Sequence, residues 1–223
     1  MMQFINTQFL KQQIPFKQKN KLDEGIFHFN SIHHQFQLEQ DSDTNVCMTT
    51  TPLKIAIVTE TWAPEINGVA NSLLNLSRGL QEKGHQILLI RPQPKQICQQ
   101  FEPEAECWVK ARAIPKYPNL QFGWPQISKI IAAIDGFQPD VIHIVTEGPL
   151  GLGCLYVAKS KKIPISSGYH STFQEMSRFF NLAFLCRPIQ HYLTWFHNKT
   201  SVCCVPSVDT QQMLKRMGVT HDI

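Results

Sequence analysis

"KIAIVTETWAPEINGVANSLLNLSRGLQEKGH", residues 54–85, decides how the chain is read. It opens in a continuous apolar run, 53–58, as expected of a strand covered on both faces. Pro64 and the pair Asn67-Gly68 then interrupt it. Beyond them Val69, Leu73, Leu76 and Leu80 recur at helical spacing and form one apolar stripe. Gly84 stands where a helix end favours positive φ. A buried strand, a glycine-bearing loop and an amphipathic helix make the first unit of a parallel α/β sheet.

Downstream the alternation continues. Residues 87–90 read as the next strand, and 92–124 as irregular and proline-rich, with a short strand near 111–114. Pro125 suits a helix start, and Ile127, Ile130, Ile131 and Ile134 give that helix an apolar face. "DVIHIV" at 140–145 is a strand, 150–160 a helix and 164–169 a strand. Two helical stripes follow, Met176, Phe179, Phe180 and Phe184, then Ile189, Tyr192, Leu193 and Phe196, with Arg187-Pro188 between them. A strand at 201–205 leads to Ser207, a good N-cap for a helix that runs to Met217 and ends at Gly218. The expected fold class is α/β, with a doubly wound, mostly parallel Rossmann-like sheet.

Upstream the character differs. Residues 1–47 are glutamine-rich, carry His33-His34 and show no sustained period. They are expected to be a disordered extension, or translated upstream sequence with Met48 as the true start. The expected domain is 48–223.

Composition narrows the function classes. The 223 residues carry a net charge of +4 without a Lys/Arg-dense run, so no nucleic-acid partner is expected. Seven cysteines, an odd number with no C-x-x-C pair, read as reduced thiols, and no metal site is expected. No apolar run has the length of a membrane span, and the N-terminus lacks a secretory pattern. The expected location is cytoplasmic, with peripheral contact at the inner membrane face open to it.

In open parallel sheets ligands bind beyond the carboxyl ends of the strands. Three loops are expected there. In "TETWAPEINGVANS", Gly68 precedes a helix whose first N–H groups favour an anion, although Asn67-Gly68 also reads as a tight turn. In "HIVTEGPLG", Glu147 can hold a hydroxyl and Gly148 opens the next helix, although loop punctuation explains the glycines equally. His143 within that strand reads as a satisfied core histidine. In "SSGYHSTF", His170 at a strand end can bond a sugar hydroxyl or stabilise developing charge. A G-x-G-x-x-G fingerprint is missing, which argues against ordinary dinucleotide binding.

Together with "CVPSVDTQQMLKRMG", these loops resemble the N-terminal domain of the retaining family-four glycosyltransferases of GT-B fold. The flavour is that of GDP-mannose-dependent α-mannosyltransferases and glycolipid glycosyltransferases, over residues 53–218. The resemblance implies two Rossmann-like domains across a cleft, the N-terminal one holding mostly acceptor. It implies hexosyl transfer, mannosyl among the candidates, from a nucleotide sugar such as GDP-mannose or a UDP-hexose to a lipid or saccharide acceptor, with no metal or other cofactor. It carries donor contact to Gly68 and contact with the transferred sugar, the catalytic role, to His170. Glu60 and Asn67 become candidates for acceptor positioning, beside Glu147 and Gly148. Two departures stand out: His170-Ser171-Thr172-Phe173 lacks the acidic position of the family motif, and Glu60 replaces an aspartate. The family's basic pair and E-x7-E motif belong to a C-terminal domain outside these residues. The expectation is therefore an acceptor-side half, inactive alone. Alternatives are a subunit that needs a separately encoded C-terminal domain and a Rossmann-like small-molecule binding module.

Overall fold

A computed structural model describes residues 51–65, 67–94, 101–114, 117–170, 186–220 and 223. The N-terminal extension and the helical stripe at 176–184 lie outside the described residues.

The first strand, β1 (Lys54–Val58), is central. Helix α1 (Gly68–Glu82) returns the chain to β2 (Gln86–Pro92), and β3 (Ala105–Val109) follows at the edge. The chain then makes an antiparallel hairpin, β4 (Ala111–Ile114) with β5 (Tyr117–Gly123), before α2 (Ile127–Phe137). From there the order reverses. Strand β6 (Val141–Ile144) pairs with the other side of β1, and α3 (Pro149–Ser160) leads to β7 (Ile165–Gly168). Helix α4 (Cys186–His197), β8 (Val202–Cys204) and α5 (Val208–Met217) complete the described chain. The six-stranded sheet runs β3-β2-β1-β6-β7-β8, every pairing parallel. This is the doubly wound order, with its switch point between β1 and β6.

Both faces of the sheet are covered, which explains the unbroken apolar strands. In β1, Ala56 and Val58 join Leu88, Ile90, Ile142 and Ile144 on one face, under Ile130 and Ile134 of α2 and Leu150 and Cys154 of α3. Ile55 and Ile57 join Ile87 and Leu89 on the other, under Leu73, Leu74 and Leu80 of α1. The period-two alternation of strand side chains places them so. Each fully buried aliphatic contributes ~1.5–3 kcal/mol, against about 1 kcal/mol for a helix cap. Coverage of the sheet therefore decides the fold.

Two expectations need correction. Residues 92–124 are not irregular apart from one short strand, because β3, β4 and β5 all lie there. These strands are short or marginal: β3 alternates polar and apolar residues, and β5 contains Pro118. Edge pairing holds β3, and Arg91, buried at the end of β2, pairs with Glu106 through Nε–Oε1 at 2.5 Å. Helix α2 begins at Ile127, two residues after Pro125, with Gln126 as N-cap. Ser207 caps α5 as expected, its Oγ accepting from Thr210 N at 3.2 Å, and Gly84 and Gly218 both take positive φ.

Candidate functional site

The loops that leave β1 and β6 at the switch point are tied to each other. Val145 N donates to Val58 O at 2.8 Å, and Glu60 N donates to Thr146 Oγ1 at 3.1 Å. Thr59, fully buried, is fixed by its N–H to Ile90 O and its hydroxyl to Thr61 O. The Glu60 side chain therefore leaves a rigid turn and crosses to the start of α3.

Helix α3 lacks an ordinary cap. Its N-cap is Gly148, with no side chain, and its first residue is Pro149, with no N–H. The first orphan donor is Leu150 N, and Glu60 Oε1 accepts from it at 3.1 Å. Glu60 thus caps a helix ninety residues away in sequence. Gly148 makes room for it: a Cβ there would lie 2.3 Å from Glu60 Oε2. A carboxylate at a helix N-terminus ordinarily titrates low. Here burial wins and pushes Glu60 up to about 7, assisted by the nearby Glu147 charge; backbone N–H groups of Leu150 and Gly123 pull the other way.

Glu147 stands on the same loop. Its Oε1 accepts from His197 Nε2 at 3.1 Å, and its side chain is 12% exposed. Its backbone carbonyl accepts from Tyr192 Oη at 2.5 Å. Among the described residues, no hydrogen bond engages its second carboxylate oxygen.

His170 follows β7. Its ring folds back over the strand end: a Cβ on Gly168 would lie 2.6 Å from His170 Nε2. Burial lowers its pKa, and the Glu147 charge opposes that shift. His143 is within electrostatic reach of His170 and is held down to about 4, chiefly by burial. Its Nδ1 meets Ser166 Oγ at 2.9 Å, the satisfied core histidine that the sequence suggested. Glu60, Glu147, Gly148 and His170 thus form one cluster over the carboxyl ends of β1, β6 and β7.

Asn67 and Gly68 stand at the same edge of the sheet in a separate hydrogen-bonded group. Asn67 is the N-cap of α1, with φ −145° and ψ 160°; its Oδ1 accepts from Ala70 N at 2.8 Å. Its Nδ2 donates to Thr61 Oγ1 at 2.6 Å, whose hydroxyl donates to Glu65. The pair is a helix entry, not a tight turn. A Cβ on Gly68 would meet no described atom within 4 Å, so the helix start faces open space there.

His197, fully buried at the end of α4, joins the cluster of Glu60, Glu147 and His170 through Glu147, a contact that sequence reasoning missed. Nothing in "WFHNKT" separates it from an ordinary helix-end histidine. Tyr192 was visible only as one aromatic of a packing stripe. Among the described residues no helix is long and apolar enough to cross a membrane, and no three His, Cys, Asp or Glu side chains converge as metal ligands.

The sequence model of Glycosyltransferase Family 4 matches residues 66–223. The chain is 27% identical over 175 residues to a GDP-mannose-dependent alpha-mannosyltransferase of Mycobacterium tuberculosis, a match covering 75% of this chain and 45% of that protein. It is 28% identical over 170 residues to an alpha-monoglucosyldiacylglycerol synthase of Streptococcus pneumoniae, covering 73% and 37%. The chain thus spans less than half the length of these relatives. Among solved structures, sucrose-phosphate synthase from Thermosynechococcus elongatus superposes with a TM-score of 0.51 at 12% identity, over 76% of this chain and 46% of that one. At such identity the likeness is one of fold.

Proposed function

The chain belongs to Glycosyltransferase Family 4, and from that premise we propose that it forms the acceptor-side domain, 48–223, of a retaining hexosyltransferase. The donor is a nucleotide sugar, GDP-mannose or a UDP-hexose, and the acceptor a lipid or saccharide hydroxyl. The observation that carries this reading is the gathering of Glu60, Glu147 and His170 over the switch point of a family-four sheet.

Transfer with retention needs the leaving diphosphate stabilised and the sugar held against the incoming hydroxyl. Gly68, in front of open space at the start of α1, lets a phosphorylated donor approach the backbone. His170, its pKa lowered by burial, presents a neutral imidazole to the transferred sugar near pH 7. Glu147 takes a substrate hydroxyl, and Gly148 lets the loop pass close beneath. Glu60 and Asn67 act one step back: their side chains are occupied as caps and hold the two loops in place. A second Rossmann-like domain supplies most of the donor contacts. Tyr156 and Trp195, 60% and 37% exposed and paired at 6.4 Å, form an aromatic surface suited to peripheral contact with the inner face of a membrane.

The test is transfer of radiolabelled hexose from GDP-mannose or UDP-glucose into a lipid and oligosaccharide panel. The chain is assayed alone and together with the carboxyl-terminal half of the mycobacterial relative. Transfer that His170→Ala abolishes supports the reading. No product in any combination, from either donor, overturns it.

A further inference from the structure

Helix α4 reaches the site through two polar side chains that meet one residue. Tyr192 Oη donates to the carbonyl of Glu147, and His197 Nε2 to its carboxylate. The two residues lie five apart on one helix and grip the loop between β6 and α3 at both its backbone and its side chain. A carboxylate oxygen can only accept, so the hydrogen sits on Nε2 of His197. The other ring nitrogen is then set by its own neighbours: Nδ1 lies 2.9 Å from Ser167 Oγ and 3.3 Å from Cys203 Sγ. Ser167 in turn lies 3.0 Å from Thr200 Oγ1, and Thr200 donates to the carbonyl of His197 at 2.8 Å. A polar chain therefore runs from the interior of β7 and β8 to the crevice, and every described member has a partner. Only at its crevice end, at the second oxygen of Glu147, does a bonding position remain open among the described residues.

We propose that His197 is a positioning residue for the transfer reaction: with Tyr192 it fixes the Glu147 carboxylate so that its free oxygen receives one hydroxyl of the sugar substrate. The inference rests on the proposed transferase reading and adds the residues that orient the site. A buried network that locks a side chain while leaving one acceptor open pre-organises that acceptor. A core without function would sooner end such a chain on a backbone group.

Kinetic cycles in the same transfer assay test this. Glu147→Gln keeps the shape but weakens the acceptor, and is expected to lower kcat/KM by roughly 10- to 100-fold. His197→Leu is expected to fall by a similar factor, and His197→Gln, whose amide retains a donor, to recover to within about 3-fold of the parent. Tyr192→Phe, isosteric and therefore safe for folding, is expected to lose about 3- to 10-fold. Each α4 variant placed on Glu147→Gln is expected to cost nothing further, because it acts through that residue. Thermal midpoints run in parallel separate lost protein from lost function. Multiplying effects in Tyr192→Phe/Glu147→Gln, or parent-like transfer by His197→Leu, overturns the inference while leaving the transferase reading intact. A parent without transfer from either donor overturns the transferase reading itself, and this inference with it.

Discussion

Glu60→Gln isolates the competition between burial and capping. In the fold Glu60 titrates at about 7, against an ordinary 4.5, mainly because burial disfavours its charge. A raised carboxyl binds its proton more tightly in the native state. Its stabilising contribution is fully present below pH 4.5 and is lost as pH rises through 7. At about 1.4 kcal/mol for each pH unit between those values, the whole loss is about 3 kcal/mol. Allowing for the carboxyl's partial exposure to the crevice leaves about 2 kcal/mol between pH 5 and pH 8.

Glutamine, like protonated glutamic acid, is uncharged and keeps a carbonyl oxygen to accept from Leu150 N, while its amide nitrogen brings two donors and no acceptor at all pH values. Whatever constant offset the amide brings, the variant should therefore gain about 2 kcal/mol on the parent between pH 5 and pH 8. His143 titrates in the opposite sense: its pKa is depressed to about 4, so its contribution is present above 6.5 and lost as pH falls through 4. That term is common to both proteins and cancels in their difference. Urea unfolding of parent and variant at pH 5, 6, 7 and 8 measures the gap. Curves that stay parallel from pH 5 to pH 8, or a parent that gains on the variant as pH rises, would refute the claim that burial outweighs the helix terminus.

Four further outcomes follow from the geometry. Gly148→Ala places a Cβ 2.3 Å from Glu60 Oε2 and should cost about 1–3 kcal/mol in urea unfolding; the added substitution Glu60→Ala should return most of it. Gly68→Ala meets open space and should keep the parent's stability to within about 0.5 kcal/mol, whereas Gly68→Trp should keep the thermal midpoint yet abolish transfer by closing the donor's approach. Ser207→Ala removes the acceptor of Thr210 N and should cost about 1 kcal/mol, read by the same unfolding assay. Cys154 and Cys203 are buried, and burial pushes their thiols well up, so neither should react with a thiol reagent at pH 8 until the protein unfolds.

The fold was legible wherever burial on both faces writes itself into the sequence. Strands β1, β2, β6 and β7 are apolar or small, the stripe of α1 repeats at helical spacing, and Ser207 and Gly218 bracket α5. Strands β3 and β5 escaped because they satisfy no such pattern, whereas β4 and the other edge strand, β8, were read near their places. Glu106 in β3 makes sense only once it meets Arg91, and that pairing is a property of the register between two strands. The site was legible in its loops but not in its wiring. Strand order brings Glu60 and Leu150 together across ninety residues, and a helix end brings His197 to Glu147 across fifty. No local signal encodes either meeting.

The glycines of these loops show what local reading confuses. Asn67-Gly68 and Gly148-Pro149 look alike as punctuation, a small residue before a helix. In the fold they are opposites. Gly148 is small because a protein carboxyl already fills the space in front of it, and Gly168 because the His170 ring does. Gly68 faces nothing, and its φ is one that any residue could adopt. On the proposed transferase reading that space at a helix start is the donor's approach, which sets Gly68 apart from Gly79 and Gly136, equally open but inside α1 and α2. The polar residues differ likewise: the Asn67 amide is occupied at both ends and Glu60 Oε1 caps a helix, whereas Glu147 is gripped at one oxygen and its carbonyl and keeps the other oxygen open among the described residues. The sheet thus presents two open positions at its carboxyl edge, one of bare backbone at a helix start and one of fixed carboxylate. On the proposed reading the first receives the donor's phosphorylated group and the second a substrate hydroxyl.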